Sequence, residues 1–340
     1  MDQQPSSGDA EAHGCAPVGV PNLLGYKTRS TLPEMMPWLS AEIVLRRAGY
    51  ACLADLAHHE QAARTGEAES IHRMRVAVRR WRATISAFGP LIPQRPRRAA
   101  SNELRWIAVA LSEARNLDVF VSAVLAPARA AISWSSELER LAASIDRRRR
   151  AAHAAAKTAI SSERYGASVQ TLADWLDNRE WRSDGDAAAL LRPIGELAPL
   201  LLSRRHRQAQ KQGASFAKQS EAARHQLRIT LKKLRYTAEL VGDLYEGATA
   251  KEFVRSLKQL QDDLGDINDV SVARDIIASL ADPAQPKIGI DHAGRRIIAW
   301  HKRRLAGNEA MLRKRVRQLF KIEPFWMYPL TAEWHGPKHH

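Results

Sequence analysis

"HRMRVAVRRWR", residues 72–82, holds one histidine, five arginines and no acidic residue in eleven positions. "HQLRITLKKLR", residues 225–235, repeats the pattern 153 residues later. At that offset His72 falls on His225, Arg75 on Arg228, Arg79 on Lys232, Arg80 on Lys233 and Arg82 on Arg235. The register continues through Leu104 and Arg105, which fall on Leu257 and Lys258, and Leu111, which falls on Leu264. Beyond that point "NLDV" (116–119) matches "INDV" (267–270) at an offset of 151, so the first copy carries two extra residues. An internal repeat of this kind predicts two structurally similar units.

Each segment reads as an amphipathic helix. His72, Arg75, Arg79 and Arg82 are spaced three, four and three apart, which places them on one stripe. Met74, Val78, Trp81, Ile85 and Phe88 take the opposite face, and Leu227, Leu231, Leu234, Ala238 and Val241 take it in the second copy. Like charges at these spacings each cost a helix a few tenths of a kcal/mol, roughly 0.2–0.5. A chain that tolerates several such pairs twice is expected to relieve them with an anion or with nearby carboxylates. Ten residues at about 1.5 Å make the stripe roughly 15 Å long, a line of charge rather than a point. Arginine suits a line of phosphates because its guanidinium stays charged and grips oxygens in pairs. A histidine among cations stays neutral until a bound anion favours its imidazolium.

Composition sets the partner class. Lys plus Arg is 52 against 37 for Asp plus Glu, a formal net charge of +15 over 340 residues. An anion is therefore the expected partner: nucleic acid, an anionic surface or a phosphate polymer. Two cysteines, Cys15 and Cys52, argue against a disulfide framework and for a reducing, cytoplasmic setting. Residues 1–20 lack a basic start followed by an apolar run, so no signal peptide is expected. No stretch approaches 18 uncharged apolar residues, so membrane insertion is not expected.

Helical spacing runs from about residue 38 to 322 and alternating β-branched strands are nearly absent, which predicts an all-α fold. "FGPLIPQRP" (88–96), "DNREWRSDGD" (177–186) and "DPAQPKIG" (282–289) punctuate it. The expected organisation is a disordered tail over 1–37 and one helical region over 38–326. Its halves span about 38–180 and 187–326. A tail follows at 327–340, and the end, "EPFWMYPLTAEWHGPKHH" (323–340), reads as a docking aromatic segment followed by a loose tail.

At this point the sequence resembles the CHAD domain family, the conserved histidine α-helical domains. The resemblance rests on "IHRMRVAVRRWRATISAF" and "RHQLRITLKKLRYTAELV", supported by "ELRWIAVALSEARNLDVF" and "LKQLQDDLGDINDVSVA". It implies two helical bundles related by a pseudo-twofold axis, with the basic helices lining a central basic cavity. It also implies binding of inorganic polyphosphate and, in bacteria, association with polyphosphate granules; neither catalysis nor a cofactor is expected. On this reading His72, Arg75, Arg79, Arg82, His225, Arg228, Lys232 and Arg235 hold the polymer, with Arg105 and Lys258 as outlying candidates. "ARNLDV" departs from the family's Arg-Asp-x-Asp: Asn116 supplies no carboxylate, which leaves Asp118 as the partner for an arginine in that half.

Other chemistry is sparse. CHAD domains often follow a triphosphate-hydrolysing domain marked E-x-E-x-K, but Glu67/Glu69 and Glu137/Glu139 are followed by Ile71 and Leu141. No Walker-type phosphate loop is present. Asp262, Asp266 and Asp269 share a helical face; balancing the basic stripe is preferred to binding a metal. Trp81 and Trp106 sit at core positions, and Arg147–Arg150 reads as a solvated face. Arg46, Arg47, Arg204 and Arg205 precede the motif helices at comparable distances, as if to face the cavity. The rival readings are a nucleic-acid-binding protein, which the charge permits but no motif supports, and a phosphate-ester hydrolase.

Overall fold

The structure is a computed structural model that describes residues 35–182, 188–245, 247–280 and 288–330. Most of the expected N-terminal tail and most of the C-terminal one lie outside these residues. Among the described residues the regular structure is helical, joined by short turns, and the β contacts are two isolated bridges, Ser40 with Pro193 and Tyr245 with Leu330. The fold is all-α, as the periodicity predicts.

The first half comprises α1 (Ala41–Thr65), α2 (Ala68–Ala87), α3 (Gln94–Ala110), α4 (Ser112–Val119), a π-helical turn (Phe120–Leu125), α5 (Ala126–Ala131), α6 (Ser136–Ile160) and α7 (Glu163–Asp177). A short α8 (Ala188–Leu191) leads into α9 (Ile194–Gly213), α10 (Glu221–Val241), α11 (Gly247–Leu280), α12 (Ile288–Ala306) and α13 (Glu309–Leu319). The helix starts keep the sequence offset: α9, α10 and α11 each begin 153 residues after α1, α2 and α3. The two extra residues of the first copy are absorbed where α11 is one continuous helix but its counterpart is interrupted. The interruption is at Leu111, which ends α3 and precedes α4, and the two extra residues fall between Leu111 and Asn116, ahead of the π-helical turn.

Local chemistry sets the basic helices. Gly66 adopts a left-handed φ of 98°, and its N–H closes α1 onto Ala62 and Ala63, so the chain turns at once into α2. Ser220 caps α10 through the Ala223 N–H at 3.2 Å, with Glu221 in the positive first turn. Both apolar faces are buried as expected: Met74, Val78, Trp81, Ile85 and Phe88 on α2, and Leu227, Leu231, Leu234, Ala238 and Val241 on α10. Burying five such side chains per helix, at about 1.5–3 kcal/mol for the larger ones, outweighs the like-charge cost of the opposite stripe.

The halves meet at their entrances. The Ala41 N–H donates to the Arg192 carbonyl at 2.9 Å, and the Ile194 N–H donates to the Leu39 carbonyl at 2.7 Å. Each bond maps onto the other under the 153-residue offset. The basic helices α2 and α10 lie against one another, and one hydrophobic core runs from Ala41 to Trp326. The C-terminal aromatics dock as the sequence suggests: Phe325 packs edge-on to Tyr245, and Trp326 donates to Ser203 Oγ at 2.9 Å.

Candidate functional site

Two adjoining clefts flank the contact of α2 with α10, and Arg75, Arg79, Arg228 and Lys232 line both. These four cations form a shared wall with two from each copy. The larger cleft, of about 770 Å³, adds Arg82, Arg97, Arg98, His225, Lys233 and Tyr236, and no acidic residue lines it. The smaller, of about 590 Å³, adds His72, Arg115 and Arg235 on one side and Asp262, Asp266 and Asp269 of α11 on the other.

Burial against like charge shapes the wall. Arg75 is fixed by donating from Nη1 to Ser112 Oγ at 2.6 Å and to the Ala108 carbonyl at 3.1 Å, at the break between α3 and α4. Burial, with Arg79 and Arg115 nearby, pushes its pKa down to about 10. Lys232 is pushed further, to about 7, by burial and by Arg228 and Arg79, with Asp269 opposing. Burial and Arg79 also lower Arg228, again against Asp269. Lys233 is lowered by burial, Arg205 and Arg82. None of the four wall cations is held in an ion pair among the described residues; Asp269 acts on Arg228 and Lys232 as a neighbouring charge. The wall therefore carries an unsatisfied demand for negative charge.

The histidines stand at different points. Burial and then Arg115 lower the His72 pKa, so His72 is neutral at pH 7. His225 lies in the larger cleft, with Nδ1 2.7 Å from Asn268 Oδ1. Arg235 forms a 3.5 Å ion pair with Glu239 one turn along and sits 4.8 Å from the centre of the Tyr236 ring. Arg79 lies 5.9 Å from the same ring, whose hydroxyl is buried without a hydrogen-bond partner.

All eight stripe residues thus reach one cleft or both. Arg105 and Lys258 do not: both are exposed, and neither lines these clefts. Nor do Arg46, Arg47, Arg204 or Arg205. Arg46 donates to the Tyr50 hydroxyl, and Arg205 donates to Ser86 Oγ and its carbonyl, bracing the end of α2. The run Arg147–Arg150 is not a uniformly solvated face. Arg148 binds Glu113 and Ser279, and Arg149 Nε donates to Asp118 at 2.7 Å, alongside His153. Asp118 is therefore the arginine partner expected in that half. Asp262, Asp266 and Asp269 face the stripe across the smaller cleft, and burial followed by neighbouring aspartates raises the Asp266 pKa against Arg304. Among the described residues no group of three His, Cys, Asp or Glu side chains is placed to hold a metal ion.

Arg97, Arg98, Arg115, Lys233 and Tyr236 are cleft-lining residues that the stripe did not reveal. Lys233 is equivalent to Arg80 in the repeat, a signal present in the alignment of the two copies. Arg97 and Arg98 open α3 just after a proline-rich break, where no periodicity marks them.

A CHAD domain family model matches residues 47–278, and the chain belongs to this family. The fold agrees with that of solved structures. The crystal structure of the CHAD domain from the plant Ricinus communis aligns with a TM-score of 0.71 at 24% identity, covering 87% of this chain and 97% of that one. PptA from Streptomyces chartreusis aligns with a TM-score of 0.62 at 18% identity, covering 82% of this chain and 99% of its own. None of the curated proteins matches the chain. Among the described residues no helix is long and apolar enough to cross a membrane.

Proposed function

We propose that this protein binds inorganic polyphosphate through His72, Arg75, Arg79, Arg82, His225, Arg228, Lys232 and Arg235, and that it acts at polyphosphate granules in the cytoplasm as a binder without catalysis. One observation carries the reading: Arg75, Arg79, Arg228 and Lys232 form one wall of two open clefts, none of the four is in an ion pair among the described residues, and no acidic residue lines the larger cleft. A single phosphate needs a pocket of a few donors. A wall shared by two clefts, continued by Arg97 and Arg98, suits a chain of phosphates that neutralises several cations at once. Membership of the CHAD family supports the same ligand. Binding displaces counterions from the polymer, so most of the driving force is electrostatic, as for nucleic acids.

Titration with long-chain polyphosphate at several salt concentrations tests this. Log affinity falls linearly and steeply with log salt; affinity unchanged between low and near-physiological salt overturns the reading. Competition with duplex DNA at fixed salt separates the ligand classes, polyphosphate being preferred. Incubation of labelled polyphosphate with the protein and Mg²⁺ or Mn²⁺ releases no phosphate on this reading; sustained release makes the protein a hydrolase. A fluorescent fusion gathers at granules in cells that contain polyphosphate and spreads in cells that lack it.

A further inference from the structure

Lys232 differs from the other cations of the wall in its chemistry. Arginine stays protonated at any physiological pH, whereas a lysine that loses its proton becomes an amine nucleophile. Lys232 reaches both clefts, so small solutes have access to it from either side. Arg79 from α2, Arg228 and Arg235 along α10, and Asp269 from α11 line the smaller cleft together with Lys232 and act on it as charges. The charged neighbours are thus mainly guanidinium groups, which hold phosphoryl oxygens in pairs.

We propose that Lys232 is an acylation site whose substrates are acyl phosphates: an amine set among guanidinium groups that hold the phosphoryl end of the reagent. The neutral Nζ attacks the carbonyl carbon. The bond from that carbon to the phosphate oxygen breaks, inorganic phosphate leaves with the electron pair, and the surplus amine proton passes to water. The product is an uncharged amide. No redox partner is required, because the acyl phosphate is already activated. Burial and the adjoining arginines hold the Lys232 pKa near 7, so a large share of the amine is neutral at pH 7.5. An exposed lysine, with a pKa of about 10.4, is almost wholly protonated there. Acylation removes one of the four shared cations. Its effect on polymer binding rests on the polyphosphate reading, but the acylation itself does not.

The experiment treats the full-length protein with acetyl phosphate at pH 7.5 and follows each lysine by peptide mass mapping. The exposed Lys211, Lys251 and Lys258 are internal references. Lys232 is expected to react about tenfold faster than these, its greater neutral fraction outweighing its lower basicity. A parallel reaction with a neutral acetyl ester, which has no phosphoryl group to hold, gives a smaller preference for Lys232. Reaction with acetyl phosphate no faster than at the reference lysines overturns the proposal. So does an equal preference with both reagents, because the guanidinium groups would then play no part. Neither outcome bears on polyphosphate binding, which is measured without acylating reagent.

Discussion

The guanidinium of Arg79, from the first half, lies 5.9 Å from the centre of the Tyr236 ring, from the second. Arg235 approaches the same ring at 4.8 Å. One aromatic ring therefore contacts cations from both copies of the repeat and lines the larger cleft. An aromatic face attracts cations and limits their wandering, at about 0.5–2 kcal/mol per contact.

Tyr236→Leu is expected to weaken polyphosphate binding by about three- to tenfold, as both guanidinium groups lose the ring that orients them. Tyr236→Phe keeps the ring and stays within about twofold of wild type. Titration of both variants, with circular dichroism to confirm the fold, checks this. Equal losses in the two would assign the effect to the buried hydroxyl.

Lys232 makes stability depend on pH. Its folded pKa, near 7, lies below that of an exposed or unfolded lysine. Between those values the unfolded chain binds more protons than the folded one, so this group's contribution raises stability as pH climbs from about 7 towards 10. Below pH 7 the cost of holding the buried cation is present in full. Lys232→Met removes that cost, so its melting temperature exceeds wild type most at pH 6, and the gap narrows by pH 9. A gap independent of pH would show that Lys232 does not titrate in this range.

Bound phosphate reverses the preference, since the anion favours the protonated amine. The bound-state pKa of Lys232 then exceeds the free-state value near 7. Affinity is greatest below the free-state value and declines as pH rises through the bound-state value. Calorimetry in buffers of different ionisation enthalpy detects the proton uptake near pH 7.5, and Lys232→Arg removes Lys232's share of it.

Asp118 is buried, with Arg149 Nε at 2.7 Å and His153 Nε2 at 2.9 Å. Asp118→Ala leaves a half-buried guanidinium without its carboxylate and is expected to cost about 2–3 kcal/mol. At roughly 1–2 °C per kcal/mol for a chain of 340 residues, the melting temperature falls by about 2–6 °C. Thermal unfolding by circular dichroism measures it.

The repeat was legible because one helix has to serve two masters. The core accepts apolar residues only at helical spacing, and the cleft wall takes its cations from the complementary positions, so both faces of α2 and α10 are written in the sequence. The flanking site residues were not. Arg97, Arg98 and Arg115 belong to α3 and α4, and whether they face the clefts depends on how those helices cross α2, which no local pattern encodes. Arg105 and Lys258 show the converse: they match under the offset, yet both are exposed positions that line neither cleft. Arg148 and Arg149 form part of a charge run whose partners, Glu113, Asp118 and Ser279, lie on other helices. A run of like charge names no partner; tertiary packing supplies it.

Charge reversal on each half asks most directly whether the two copies form one polymer site. Arg75→Glu with Arg79→Glu, Arg228→Glu with Lys232→Glu, and all four together are titrated with long-chain polyphosphate beside the wild type. The two double variants should each lose most of the affinity, to a similar extent, because either half raises the effective concentration of the polymer at the other. The fourfold variant should lose less than the sum of the two, since a shared site is already broken by either. Losses that simply add, or one half that reverses without loss while the other abolishes binding, contradict a single site shared by α2 and α10.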